Sequence, residues 1–141
     1  MKVMNATVTW SGNMSFTGHP PSGQPVPMDT TLDVGGGDTA ARPSELLLLG
    51  LGGCTGMDLI SILKKMRQAV SSLEIGVAAD QDEDYPRQFR NIRLTYRIRG
   101  KNLDEESVRR AIQLSEEKYC SVAATLRFPV TVTWSLEIAA E

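Results

Sequence analysis

The residues best suited to chemistry are two cysteines, Cys54 and Cys120, which stand 66 positions apart. The thiolate is the reactive form of cysteine, and its pKa falls at helix N-termini and beside cations. In a reducing compartment a bridge between two such thiols is transient, catalytic or redox-sensing. A buried free cysteine can equally serve as a small hydrophobe. Sequence separation does not say whether the two meet. The one histidine, His19, lies in a Pro-rich loop and reads as a surface residue. No Cys/His cluster has ligand spacing, which argues against a zinc site.

Cys54 sits in LGLGGCTGMD, residues 49–58. Glycine inside a helix costs about 0.5–1 kcal/mol relative to alanine. Gly50, Gly52 and Gly53 are therefore expected to allow a close approach, by another backbone segment or by the second sulfur. Cys120 is expected to open a short helix, CSVAATLR, whose positive end favours its thiolate. Cys54, in mid-helix, would need an external cation. Asp58 falls one turn after Cys54 on the same face, where its charge would raise the thiol pKa.

The elements that must position these groups are legible as periods. VMNATVTW alternates, with Met4, Ala6, Val8 and Trp10 on one face, and reads as a strand. NMSFTG pairs back on it as a hairpin, VPMDTTLDV reads as a third strand, and GGGDTAAR as a flexible connection. Pro43 suits the first position of a helix, and Glu45 its first turn. That helix is expected to run to about Ala69, apolar on most sides in its first half and so buried there. Met57 and Met66 are expected in core packing. LEIGVAAD and NIRLTYRIRG alternate as two further strands, and LDEESVRRAIQLSEEKY has helical spacing through Val108, Ala111, Ile112 and Ser115. After Pro129, a last strand would place Val130, Val132, Trp134, Leu136 and Ile138 on one face. The order βββ-α-ββ-α-α-β, with strands grouped, predicts an α+β domain with a mainly antiparallel sheet. The 141 residues fit a single domain, 1–141. The long helix exceeds what these strands can cover, so a dimer is expected.

Fifteen basic and seventeen acidic side chains give a net charge of −2, with 41% hydrophobic and 23% charged residues. That balance argues against a dedicated nucleic-acid or membrane-surface protein. The opening residues lack the apolar segment of a signal peptide. The run Leu46 to Met57 is shorter than the roughly 20 residues that span a bilayer. A cytoplasmic protein is the expectation.

PSELLLLGLGGCTGMDLISIL, then LSEEKYCSVAATL and the closing VTVTWSLEI, resemble the OsmC/Ohr family of thiol-dependent hydroperoxide reductases over nearly the whole chain. The resemblance implies an OsmC-like fold and an intertwined homodimer with sites at the interface. It implies that Cys54 attacks a peroxide O–O bond and becomes a sulfenic acid. Cys120 then condenses with it to a disulfide, and an external dithiol restores both. No metal or organic cofactor is needed. It further implies an oxidative stress response, with an organic hydroperoxide and a dithiol reductant as reaction partners.

The family's glutamate, ten residues before the first cysteine, falls here at Ser44, with Glu45 next to it. Its arginine falls near Val34, leaving Arg42 as the nearest candidate. Glu45 and Cys54 are separated by about 13.5 Å of helical rise and about two and a half turns, so Glu45 could serve a thiol only across a dimer. As alternatives, Glu45 is a helix N-terminal charge and Arg42 a solvated loop residue.

Two other readings compete. One is a non-enzymatic OsmC-like dimer that binds an apolar small ligand in the interface pocket. The other uses Arg87, Arg90, Arg93, Arg97 and Arg99 to bind RNA. Tyr96 alternates away from those arginines, which favours a plain solvated sheet face.

Overall fold

The computed structural model describes residues 1–139. The chain divides into two compact units, Met1–Gly50 and Leu51–Glu141.

In the first unit, β1 (Thr7–Gly12), β2 (Ser15–His19) and β3 (Val26–Met28) form an antiparallel sheet in the order β1-β2-β3. Trp10 opposes Phe16, and Phe16 opposes Met28. The expected third strand is cut to three residues, because Asp29 turns the chain. Its buried carboxylate accepts hydrogen bonds from the backbone N–H groups of Thr30, Gly37 and Thr39 and from the Thr39 hydroxyl. A short 3₁₀ turn, Leu32–Val34, follows. The glycine-rich connection is thus an ordered loop. A Cβ at Gly36 would lie 2.1 Å from the Thr30 carbonyl oxygen, so only glycine fits.

The helix α1 (Pro43–Lys65) begins in the first unit and continues into the second. Pro43 takes the first helical position, and Glu45 accepts a hydrogen bond from the Arg42 backbone N–H at 2.8 Å, half of a capping box. The helix ends at Lys65, short of the expected Ala69, because Arg67 adopts φ +58 and the chain turns into a strand. At 23 residues, α1 has the length and apolar composition of a membrane-crossing helix, which the apolar run alone did not suggest. Its buried residues Leu51, Thr55, Leu59 and Leu63 recur every four positions, forming one stripe.

That stripe meets the second unit's own elements. β4 (Ala69–Gln81) and β5 (Phe89–Lys101) form a long antiparallel hairpin. Asp104 caps α2 (Glu105–Leu114) by accepting from the Ser107 N–H. The helix continues as a π-helical turn, Ser115–Tyr119, and α3 (Ser121–Arg127) follows. Leu59, Leu63, Val108 and Ala111 are the buried centre, ringed by Ile62, Met66, Val70, Leu73, Tyr96, Ile98 and Ile112. Gly52 and Gly56 explain part of the glycine pattern. A Cβ there would meet Val77 at 3.2 Å and Ile75 at 3.1 Å, so these glycines let α1 sit close on β4. Neither Gly50 nor Gly53 has a neighbour within 4 Å of such a Cβ, and none of the four makes room for a sulfur.

Three further expectations differ. Residues 129–139 form neither helix nor strand, and Val130, Val132, Trp134, Leu136 and Ile138 are exposed. An alternating segment becomes a strand only when an edge satisfies its backbone. Leu47 and Leu49, in the first half of α1, are exposed rather than buried, and so is Met57.

Gly36→Ala is expected to lower stability by about 1–3 kcal/mol in chemical denaturation. The hydrogen bonds to Asp29, that of the Thr39 hydroxyl foremost, lower its pKa from 3.8 to about 2. The unfolded chain therefore takes up this proton first. The stabilisation is complete above the ordinary carboxylate value and is lost as pH falls toward about 2. Amide exchange of Gly37 and Thr39, followed through an acid titration, should accelerate across that window. It should show no such step in Asp29→Asn.

Candidate active site

Cys54 and Asp58 stand one turn apart on α1, and Cys120 is the residue that caps α3. Folding closes the gap of 66 positions: the Cys54 and Cys120 sulfurs and an Asp58 carboxylate oxygen lie within 4.8 Å of one another. Cys54 is partly exposed and Cys120 is buried. An oxidant can reach the first, and the second stands behind it.

The electrostatics reverse the expected order of the thiols. Burial raises the Cys54 pKa. The Val122 backbone N–H, the Cys120 thiol and the Ser121 hydroxyl outweigh it, so the pKa is lowered overall although the Asp58 charge opposes them. The Ser121 oxygen is 3.9 Å from the Cys54 sulfur. The Cys120 pKa is raised, chiefly by burial and further by Cys54, although its sulfur accepts from the Ala123 N–H at 3.4 Å. The first turn of α3 thus serves both thiols, and burial together with Cys54 decides against Cys120. The external donors that Cys54 needs are neutral groups.

Beneath the thiols runs a chain of hydroxyls absent from the sequence reading. Tyr96 Oη is 2.8 Å from Thr55 Oγ1, Thr55 Oγ1 is 2.9 Å from Ser115 Oγ, and Ser115 donates to Asp58 Oδ2 at 2.9 Å. Each hydroxyl has one proton. With a carboxylate at the end, the direction is set: Tyr96 donates to Thr55, Thr55 to Ser115, and Ser115 to Asp58. Burial raises the Tyr96 pKa and keeps that donor protonated. Thr55 and Ser115 are fully buried. The available signal was polar residues inside apolar stripes: Tyr96 on the inward face of β5, Ser115 at i+7 from Val108.

Arg42 and Glu45 lie in the first unit. Arg42 pairs with Asp38 and donates to the Ala40 carbonyl, while Glu45 accepts from the Arg42 backbone. The arginine face of β5 is largely neutralised: Arg93 grips Asp80 through two hydrogen bonds, Arg97 pairs with Glu74, and Arg90 with Asp82. His19 is exposed.

Residues 35–135 match the model of the OsmC-like protein family. The chain is 39% identical to protein YhfA of Escherichia coli over 137 residues, covering 97% of this chain and 99% of YhfA. It is 31% identical to a hypothetical protein from Aquifex aeolicus whose crystal structure superposes with a TM-score of 0.77, covering 90% and 89% of the two chains. An organic hydroperoxide resistance protein OsmC from Legionella pneumophila shares the fold at 14% identity, with a TM-score of 0.65 and 90% of each chain covered. The chain belongs to the OsmC-like protein family, and its fold is the one found in OsmC/Ohr proteins.

Ser115→Ala strips Thr55 of its acceptor and Asp58 of its donor. It is expected to cost about 1–3 kcal/mol, read by urea denaturation. A change below about 0.5 kcal/mol would mean that the hydroxyl chain contributes nothing to the fold.

Proposed function

We propose that this protein is a cysteine-based reductase of organic hydroperoxides. The observation that carries the reading is the proximity of a partly exposed thiol to a buried one, within 4.8 Å. The Cys54 thiolate attacks one peroxide oxygen and the O–O bond breaks. The alcohol leaves once its oxygen takes up a proton, and Cys54 becomes a sulfenic acid. The Cys120 sulfur then attacks the Cys54 sulfur, the S–O bond breaks, and water leaves as the disulfide forms. A dithiol returns two electrons and two protons. Reduction of Cys54 to a sulfenic-acid-free state without Cys120 would require an external thiol.

Arg42 and Glu45 enter this reading across a homodimer, as a cation near the thiol and the carboxylate that orients it. Support for a homodimer comes from apolar surface that one chain leaves open: Leu47, Leu49 and Met57 on α1, and the alternating residues 130–138. We place the protein in the cytoplasm as one OsmC-like domain, where a reducing pool keeps both thiols ready.

One equivalent of an alkyl hydroperoxide should remove two free thiols per chain, and a dithiol should restore both. Cys54→Ser should lose none. Cys120→Ser should lose one and stop at a sulfenic acid that dimedone traps. An unchanged thiol count in the unsubstituted protein overturns the reading. Sedimentation should give the mass of two chains, and the mass of one chain would remove the role given to Arg42 and Glu45.

A further inference from the structure

We propose that Cys54, Asp58 and Cys120, brought together by folding and not by sequence spacing, form a three-ligand zinc(II) site that competes for the two thiols of the proposed peroxide chemistry. The three candidate donor atoms lie within 4.8 Å of one another. Tetrahedral zinc, with Zn–S about 2.3 Å and Zn–O about 2.0–2.2 Å, needs sulfurs about 3.8 Å apart and a carboxylate oxygen about 3.6 Å from each.

The supports are built. Cys54 and Asp58 project from adjacent turns of α1, whose stripe Leu51, Thr55, Leu59 and Leu63 is buried. Cys120 is held by its backbone N–H, which donates to the Ser115 carbonyl at 2.8 Å. Ser115 also donates from its hydroxyl to Asp58 Oδ2. Among the described residues, no hydrogen bond engages Asp58 Oδ1, so that oxygen is available to a metal. A hydrogen-bonded partner of this kind, orienting a ligating carboxylate, is what metal sites use to hold their ligands.

Charge points the same way. Asp58 forms no ion pair among the described residues. Two thiolates and the Asp58 carboxylate would bring three negative charges to the site, of which a divalent, thiophilic ion offsets two. Two S–H bonds break, two Zn–S bonds form, and two protons pass to solvent. Three protein ligands leave a fourth position for water, the pattern of an open zinc site. A Cys54–Cys120 disulfide would consume two of the three ligands, so metal and disulfide exclude each other.

The test titrates the reduced, full-length protein with zinc alone against a chromogenic chelator, and repeats it with cobalt(II). The expected result is one ion per chain and a thiolate-to-cobalt absorption band in the near ultraviolet. Cys54→Ser and Cys120→Ser should each weaken zinc by more than about 100-fold, and Asp58→Asn by about 10–100-fold, with thermal melts showing that each variant is folded. Oxidised protein should bind none. Absence of one-to-one binding by the unsubstituted protein, or of the cobalt band, overturns the site. Undiminished binding in Asp58→Asn overturns the three-ligand set. Thiol loss to hydroperoxide is measured without metal, so either result can fail while the other stands.

Discussion

The setting of α1 on its hairpin is the constraint from which the site follows. Leu51, Thr55, Leu59 and Leu63 face inward at intervals of four, and Gly52 and Gly56 bring the helix axis close to Val77 and Ile75 of β4. Once that stripe is buried, Cys54 and Asp58 must lie beside it, at the edge where α3 begins. A helix rotated by one residue would bury the cysteine or turn it to solvent. Packing of large apolar side chains thus places a thiol and a carboxylate.

The polar interior is tied to the same stripe. Thr55 is the single polar member of the buried row, and it is paired on both sides, with Tyr96 and Ser115. An unpaired buried hydroxyl would be costly, so this row requires a polar answer from β5 and α2. Ser115 supplies it where α2 loosens into a π-helical turn, a form of helix often found at functional sites. The same residue holds Asp58 with its hydroxyl and Cys120 with its carbonyl. One buried serine therefore sets the carboxylate and the buried thiol together.

Much of this was open to reading along the chain. The faces Leu73, Ile75, Val77, Ala79 and Ile92, Leu94, Tyr96, Ile98 point inward as their alternation indicates. Cys120 does stand at the start of a short helix, and Asp58 does share the Cys54 face. The glycines were legible as a close approach, but the partner is β4 and not a sulfur. The final segment reads as a strand from its alternation, and VPMDTTLDV reads as a longer strand than the three residues that form one. Period two cannot tell whether an edge will pair with the segment, nor that an aspartate will seize the next turn.

The chain alone determined its periodic elements, its family likeness and the identity of its two thiols, because periods and motifs are properties of neighbouring residues. Tertiary structure decided which thiol is easier to ionise, since the donors to Cys54 come from Val122, Cys120 and Ser121, far along the chain. It also decided that Thr55, Tyr96 and Ser115 form one hydrogen-bonded line into Asp58. Interactions that fall off within a few ångströms depend on distances in space, and separation along the sequence does not report those.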